Sequence, residues 1–345
     1  MDEVSIIGVD LAKQVFQLHG AAADGRVVFR RRVRRAKLLP FFSGQPACEV
    51  VMEACGSAHY WAREIGALGH RVRLIAPAYV KPFVKRQKND AADAEAIVEA
   101  AQRPTMRFVT VKSAERQASA MVFKTRDLLV RQRTSLVNAL RAHLAEFGLV
   151  AAKGMCHVGR LAAVLDDDAT LPEPVRRLCG ELIASIGELT ARIDRLDREV
   201  KERARTDELA RRLQSIPGIG PVTALALAVL APPPETFGRG RDLAAWIGLT
   251  PRQHSSGGVS RLGKTSKMGQ RDLRRLLIIG ASAVVRWARR PASADRLAPE
   301  GSWLDGMLER KPPMLVTVAL ANKTARIAWA LMARGGVHRA PAAAA

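Results

Sequence analysis

Four carboxylates raise the first chemical question. Asp10 closes the apolar run VSIIGVD, Glu53 closes CEVVME, and Asp90 and Asp93 stand three apart in NDAADAEAIVEA. Both apolar runs read as buried strands, and ligand sites of open α/β sheets lie at the carboxyl ends of strands. Residues three apart on a helix share a face. Four carboxylates from three elements can therefore converge at one sheet edge and hold two Mg²⁺ ions, with Mn²⁺ as a substitute. Such ions take hard oxygen donors and stand roughly 4 Å apart in phosphoryl-transfer sites. A set of solvated side chains is the plain alternative. Asp2, Glu3, Glu49, Glu95 and Glu99 are weaker candidates, because Glu49 lies away from the strand end and Glu95 and Glu99 lie elsewhere on the helix. Lys85, Arg86 and Lys88, just before the Asp pair, read as phosphate contacts rather than as its neutralising partners.

Two later stretches carry different chemistry. SIPGIGPVTA (215–224) has the form of a helix-hairpin-helix turn, in which Gly218 and Gly220 lead exposed amides toward a backbone phosphate. A simple turn between helices is the alternative. RQHSSGGVSRLGKTSKMGQRDLRR (252–275) places Arg252, Arg261, Lys264, Lys267, Arg271, Arg274 and Arg275 where they can clamp phosphates, against Asp272 as the one acid. Within it Ser255 and Ser256 precede two glycines. The pair reads as a flexible turn or as a nucleophile, and no Ser-His-Asp spacing is legible beyond the nearby His254.

The elements that must position these groups follow from patterning. The first hundred residues alternate strand and helix signals, with a hairpin turn at Asp24-Gly25 and a helix over 57–69 that stops at Gly69. They predict a mixed sheet with helices on its faces, as a domain over 1–112. Over 113–210 the chain is helical apart from an irregular patch at 150–173. Ile183, Ile186, Leu189, Ile193, Leu196 and Val200 make a heptad-like stripe there, suited to an antiparallel helical pair or a dimerising coiled coil. A third, helical region spans 211–335 and holds the turn and the serine loop. A low-complexity tail at 336–345 reads as disordered.

Lys and Arg number 55 against 33 Asp and Glu, a formal charge of +22 with a pI near 11.0. That excess favours a polyanionic partner, above all nucleic acid. No apolar run reaches the roughly 18–20 residues of a spanning helix, and MDEVSIIGVD lacks the basic region of a signal peptide. Cys48, Cys55, Cys156 and Cys179 form no metal-type pair and read as reduced thiols in a cytoplasmic protein.

In this order, IIGVDLAK, VVMEACGSAHYW, KNDAADAEAI, SIPGIG and LAAWIGLTPRQHSSGG resemble the DEDD-type insertion-sequence transposases over nearly the whole chain. These are the bridge-RNA-guided serine recombinases, which also resemble the pilin-inversion recombinases. The resemblance implies a RuvC-like domain of the RNase H fold with Asp10, Glu53, Asp90 and Asp93 as its metal-binding tetrad. It implies a C-terminal transposase domain whose catalytic serine is Ser256, with Ser255 as the alternative, reacting through a covalent phosphoserine intermediate. Target and donor DNA, a structured guide RNA and a homo-oligomer, dimer to tetramer, are the implied partners. A RuvC-like junction-resolving endonuclease that uses metal-activated water is the competing reading.

Overall fold

The computed structural model describes residues 3–85, 90–167, 171–289 and 302–339; for Asp90, Asp166 and Asp167 it describes the backbone alone. The chain separates into two compact units, 1–117 and 118–345.

The first unit is built on strands β1 (Ile6–Asp10), β2 (Val15–Ala21) and β3 (Val27–Arg34), helix α1 (Leu38–Ser43) and strand β4 (Glu49–Glu53). Helix α2 (Ala58–Ala67), strand β5 (Arg71–Ile75), the short helix α3 (Pro77–Val80), helix α4 (Asp90–Ala101) and the two-residue strand β6 (Phe108–Val109) follow. The six strands form one mixed sheet in the order β3-β2-β1-β4-β5-β6. β1, β4 and β5 run parallel, while β2, β3 and β6 pair antiparallel with their neighbours. The arrangement is consistent with an RNase H-like fold. Between β2 and β3, Gly25 takes a positive φ of 86° and Asp24 Oδ1 accepts from Arg26 N at 2.9 Å, as expected of the Asp-Gly turn.

Alternation along the strands divides the core between two faces. Ile7, Val9, Val50, Met52 and Leu74 pack with Trp61 and Ile65 of α2 and with Leu38 and Phe42 of α1. Ile6, Val51 and Ile75 pack on the other face with Ala96, Ile97, Ala100 and Ala101 of α4. Gly8 lets α4 come this close: a Cβ there would lie 2.5 Å from Ala94 O and 2.6 Å from Val98 Cγ2. The backbone oxygen cannot yield as a flexible side chain can. Gly8→Ala is expected to push α4 off the sheet and cost about 1–3 kcal/mol. An unchanged denaturant midpoint would refute this account.

The second unit is mostly helical. It contains α5 (Ala114–Ala145, starting just before the unit boundary), α6 (Val158–Asp167), α7 (Glu173–Thr206), α8 (Glu208–Leu213), α9 (Pro221–Leu230) and α10 (Gly240–Ile247). A two-stranded sheet of β7 (Pro251–Gln253) and β8 (Leu262–Thr265) interrupts it before α11 (Arg271–Ala288), α12 (Trp303–Arg310) and α13 (Pro313–Arg334). α5 and α7 run antiparallel. Arg126 makes a two-pronged ion pair with Asp197, and Arg133 Nη1 donates to Thr190 Oγ1 at 3.3 Å. Cys179, Ile186, Ile193 and Val200, seven apart, are all buried. Ala120 and Phe123 cluster with Val200, and Val137, Leu140 and Leu144 with Cys179 and Ile186. The fold contains the antiparallel pair that the stripe suggested. α6, inside the stretch read as irregular, adds Leu161 and Leu165 to that cluster.

α9 is buried along most of its length, and α8, α10, α11 and α13 pack with it in one core. Among the described residues no helix is long and apolar enough to cross a membrane, and the four cysteines are free thiols. Residues 340–345 of the expected tail lie outside the described residues.

Candidate active site

The acidic candidates gather at one end of the first sheet. β1 and β4 pair Ile6 with Glu49 and Val9 with Met52, so Asp10 and Glu53 form the next rung. Both alternate onto the face that carries Gly8 and Val51, the face α4 covers. α4 lies antiparallel to β1, with Ala100 and Ala101 beside Ile6 and Ala94 over Gly8. Its first turn, which carries Asp90 and Asp93, therefore reaches the strand ends. The Asp90 side chain lies outside the described residues.

Three other acids of the first unit are paired within the protein. Glu49 pairs with Arg73, Glu99 with Arg103, and Glu95 with both Lys85 and Arg30. The Lys85 hydrogen bond holds the Glu95 carboxyl below its ordinary pKa. Glu53 is pushed the other way, above the usual carboxylate range, first by burial and then by the charge of Asp93. Burial also raises the Cys55 thiol, with Glu53 and then Asp10 adding to the effect. Neither Glu53 nor Asp93 has an ion pair among the described residues. Hard carboxylate oxygens are the donor set a divalent ion takes. Among the described residues no three His, Cys, Asp or Glu side chains already stand close enough to hold one. Lys85, expected to face phosphate, is engaged by Glu95, while Arg86 and Lys88 lie outside the described residues.

The serine pair lies in the second unit, at the tip of the β7–β8 hairpin. Gly257 (φ 56°) and Gly258 (φ 78°) are both left-handed, and Val259 N donates to Ser256 O at 3.0 Å. Two positive φ values in a two-residue loop mark the turn that matches strand twist, which side chains other than Gly, Asn and Asp resist. Ser255 Oγ accepts from Arg261 N at 3.1 Å and so braces the hairpin. The Ser256 hydroxyl has no partner among the described residues, and the residue is exposed. His254 does not reach it: its ring lies against Gly263, where a Cβ would come within 2.8 Å of Nε2.

The basic residues around the hairpin divide in two. Arg252, Arg261, Lys264, Lys267 and Arg271 are exposed. Arg274 is committed to structure, donating to Ile247 O at 2.7 Å and to Met268 O at 2.9 Å, and Arg275 pairs with Asp127. These two carbonyls and Asp127 were not identifiable as partners from spacing alone.

SIPGIG forms a tight turn from α8 into α9, with Gly220 as the residue before the helix and Pro221 opening it. Gly218 (φ 85°) meets Gly280 of α11 backbone to backbone: a Cβ on Gly218 would lie 2.8 Å from Gly280 O, and one on Gly280 would lie 2.0 Å from Gly218 O. Gly218 thus seats the turn on α11, while Gly220 remains exposed. Gly218→Ala combines a disfavoured φ with a backbone clash, and about 2–4 kcal/mol of destabilisation is expected. A thermal unfolding curve superimposing on that of the unaltered protein would disprove it.

Known families match two stretches of the chain. Residues 7–148 match a family model described as "Transposase", of the DEDD type, and residues 210–297 match "Transposase IS116/IS110/IS902 family". A Pseudomonas aeruginosa protein named "Probable family 20 transposase" is 51% identical over 343 residues, covering 97% of this chain and 99% of its own. The "Transposase for insertion sequence element IS1328" of Yersinia enterocolitica is 42% identical, covering 98% and 99%. The "Transposase for insertion sequence element IS1111A" of Coxiella burnetii is 41% identical, covering 98% and 92%.

Proposed function

Since the chain belongs to the IS116/IS110/IS902 family of insertion-sequence transposases, it is a DNA transposase, and we propose that it exchanges DNA strands through a phosphoserine intermediate at Ser256. Asp10, Glu53, Asp90 and Asp93 would hold divalent metal, Mg²⁺ with Mn²⁺ as substitute. When bound, such ions stabilise negative charge on phosphoryl oxygens and lower the pKa of a nearby hydroxyl.

In this reading the Ser256 oxygen attacks phosphorus and gives up its proton. The phosphorus–oxygen bond to the departing 3′ oxygen breaks, and that oxygen leaves as a hydroxyl carrying a proton. The serine ester keeps the phosphodiester's energy, so attack by a 3′ hydroxyl of another strand rejoins DNA without an external energy source. Arg252, Arg261, Lys264, Lys267 and Arg271 hold the flanking phosphates as point charges and forks. Gly220 and the amides that open α9 contact a further phosphate without reading sequence.

The observation that carries the proposal is the Ser256 hydroxyl, exposed and without a partner among the described residues, on a Gly-Gly turn among exposed cations. The resemblance described above supports the finer parts: a structured RNA pairing with target and donor DNA, a dimer-to-tetramer assembly, and a cytoplasmic setting. The strand and helix patterning supports domain limits of 1–112 for the metal domain, 113–210 for the helical region and 211–335 for the serine domain. One observation favours the rival endonuclease reading. His254 makes no hydrogen bond to Ser256, and among the described residues no other side chain does, whereas carboxylates and metal alone suffice to activate water. Trapping a covalent protein–DNA adduct and mapping it by mass spectrometry tests the proposal: an adduct on Ser256 is expected, and cleavage without any adduct would sink it.

A further inference from the structure

A cavity of the second unit has a lining that the scheme above uses only at Lys264. It is a cleft of about 1160 Å³ bounded by the base of the β7–β8 hairpin, the start of α10, Trp303 of α12 and one face of α13. Ordinary small-ligand pockets hold roughly 300–1,000 Å³, so its size suits part of a polymer. Six cations line it, Arg239, Arg241, Lys264, Lys323, Arg326 and Arg334, and among the described residues no Asp or Glu does. The floor is apolar, with Leu249, Leu315, Val318 and Ile327.

Three contacts keep the walls in place. Gly240 sits so near α13 that a Cβ on it would lie 2.8 Å from Arg326 O. Asn322 Nδ2 donates to Leu249 O at 3.2 Å, and Trp329 Nε1 donates to Pro234 O at 3.1 Å. At the mouth, Trp303 is 41% exposed, and Lys323 Nζ lies 4.3 Å from its ring centroid. Burial, then the charge of Arg326, lowers the Lys323 pKa, so this cation stands in a place short of negative charge.

We propose that this cleft holds an unpaired DNA strand next to the phosphodiester cut at the hairpin, with its phosphates on the cationic rim and a base stacked on Trp303. An apolar floor and an aromatic face can be used only by bases whose faces are free; a duplex hides them and offers phosphates and groove edges. The inference takes DNA as substrate from the family, and its position relative to the cut rests on the serine reading.

The test measures binding rather than chemistry, on the full chain carrying Ser256→Ala, with a labelled single strand of about 12 nucleotides at stepped salt. Trp303→Ala is expected to weaken single-strand binding about tenfold, and Trp303→Phe, which keeps a ring, to retain most of it. Lys323→Gln and Arg326→Gln should each lower the slope of log affinity against log salt by about 0.7. Blunt duplex of the same sequence should bind all four variants within about twofold of the parent. Circular dichroism checks each fold, and the Trp303→Phe protein keeps the comparison valid if Trp303→Ala unfolds. Unchanged single-strand affinity in Trp303→Ala and Trp303→Phe alike, or equal loss for duplex, overturns the proposal. So does RNA of the same sequence binding more tightly in a Trp303-dependent way. Failure of the serine reading appears separately, as the absence of an adduct in the unaltered protein.

Discussion

Ser256→Ala is expected to leave DNA binding intact and to abolish both the covalent adduct and strand exchange, a loss on the order of 10³-fold or more. Alanine removes the one atom proposed to bond phosphorus and leaves the Gly257-Gly258 turn and its cations in place. Ser255→Ala is the informative comparison. Its hydroxyl accepts the Arg261 N–H, so its removal costs one partly exposed hydrogen bond, about 0.5–1.5 kcal/mol. Activity within about tenfold of normal is expected there, because a slightly loosened hairpin still carries its nucleophile. Adduct yield on a donor-end duplex, separated on denaturing gels, distinguishes the two variants. The opposite ranking moves the nucleophile to Ser255, and full activity in both favours hydrolysis by water.

Glu53→Gln should destroy activity and, in metal-free protein, raise the melting temperature. Loss of one metal-binding carboxylate is expected to reduce strand cleavage on the order of 10²–10³-fold. The stability gain follows from the sign of the pKa shift. Burial and Asp93 raise the folded-state pKa of Glu53, so the folded protein takes up this proton more readily than the unfolded chain. Stability from this group therefore increases as pH falls through the raised carboxyl range and is lost as pH climbs above it. Glu95, lowered by Lys85, behaves oppositely: its contribution is present above the unfolded pKa and lost as pH falls through the folded one. Gln is uncharged throughout, so the variant should melt higher than the parent at neutral pH in chelator and lose that advantage in mild acid. A melting temperature below the parent's at neutral pH in chelator would show that Glu53 is bound by a partner in the protein. Adding Mg²⁺ or Mn²⁺ should stabilise the parent more than the variant.

The sheet was legible in the sequence because its central strands are buried on both faces and bounded by turns. Ile6–Asp10 and Glu49–Glu53 are apolar runs that end in an acid, and Asp24-Gly25 marks its hairpin. The shared face of Asp10 and Glu53 needed the register, which no local pattern supplies. The Gly8–Ala94 contact that places α4 depends on two segments distant in sequence. β7 and β8 left no signal because Pro251, Arg252 and Gln253 are all exposed, so no apolar alternation marks either strand. Arg274 and Arg275 look like their neighbours along the chain, yet their partners are carbonyls and an acid brought near only by folding. The cleft beside the hairpin collects residues from 239 to 334 and could not be seen in any single stretch.

The hairpin that carries Ser256 is firm at its root and thin at its tip. At the root Gly248 and Gly269 meet Met268 and Trp246 backbone to backbone, but residues 254–262 are exposed and buried side chains are absent from both strands. A two-stranded ribbon of this kind is marginal by itself in water. On the serine reading, nucleic acid lying across the surrounding cations would steady the proposed nucleophile where the ribbon itself is thinnest. An enzyme built this way would rest by default, and assembly of its full substrate would arm it.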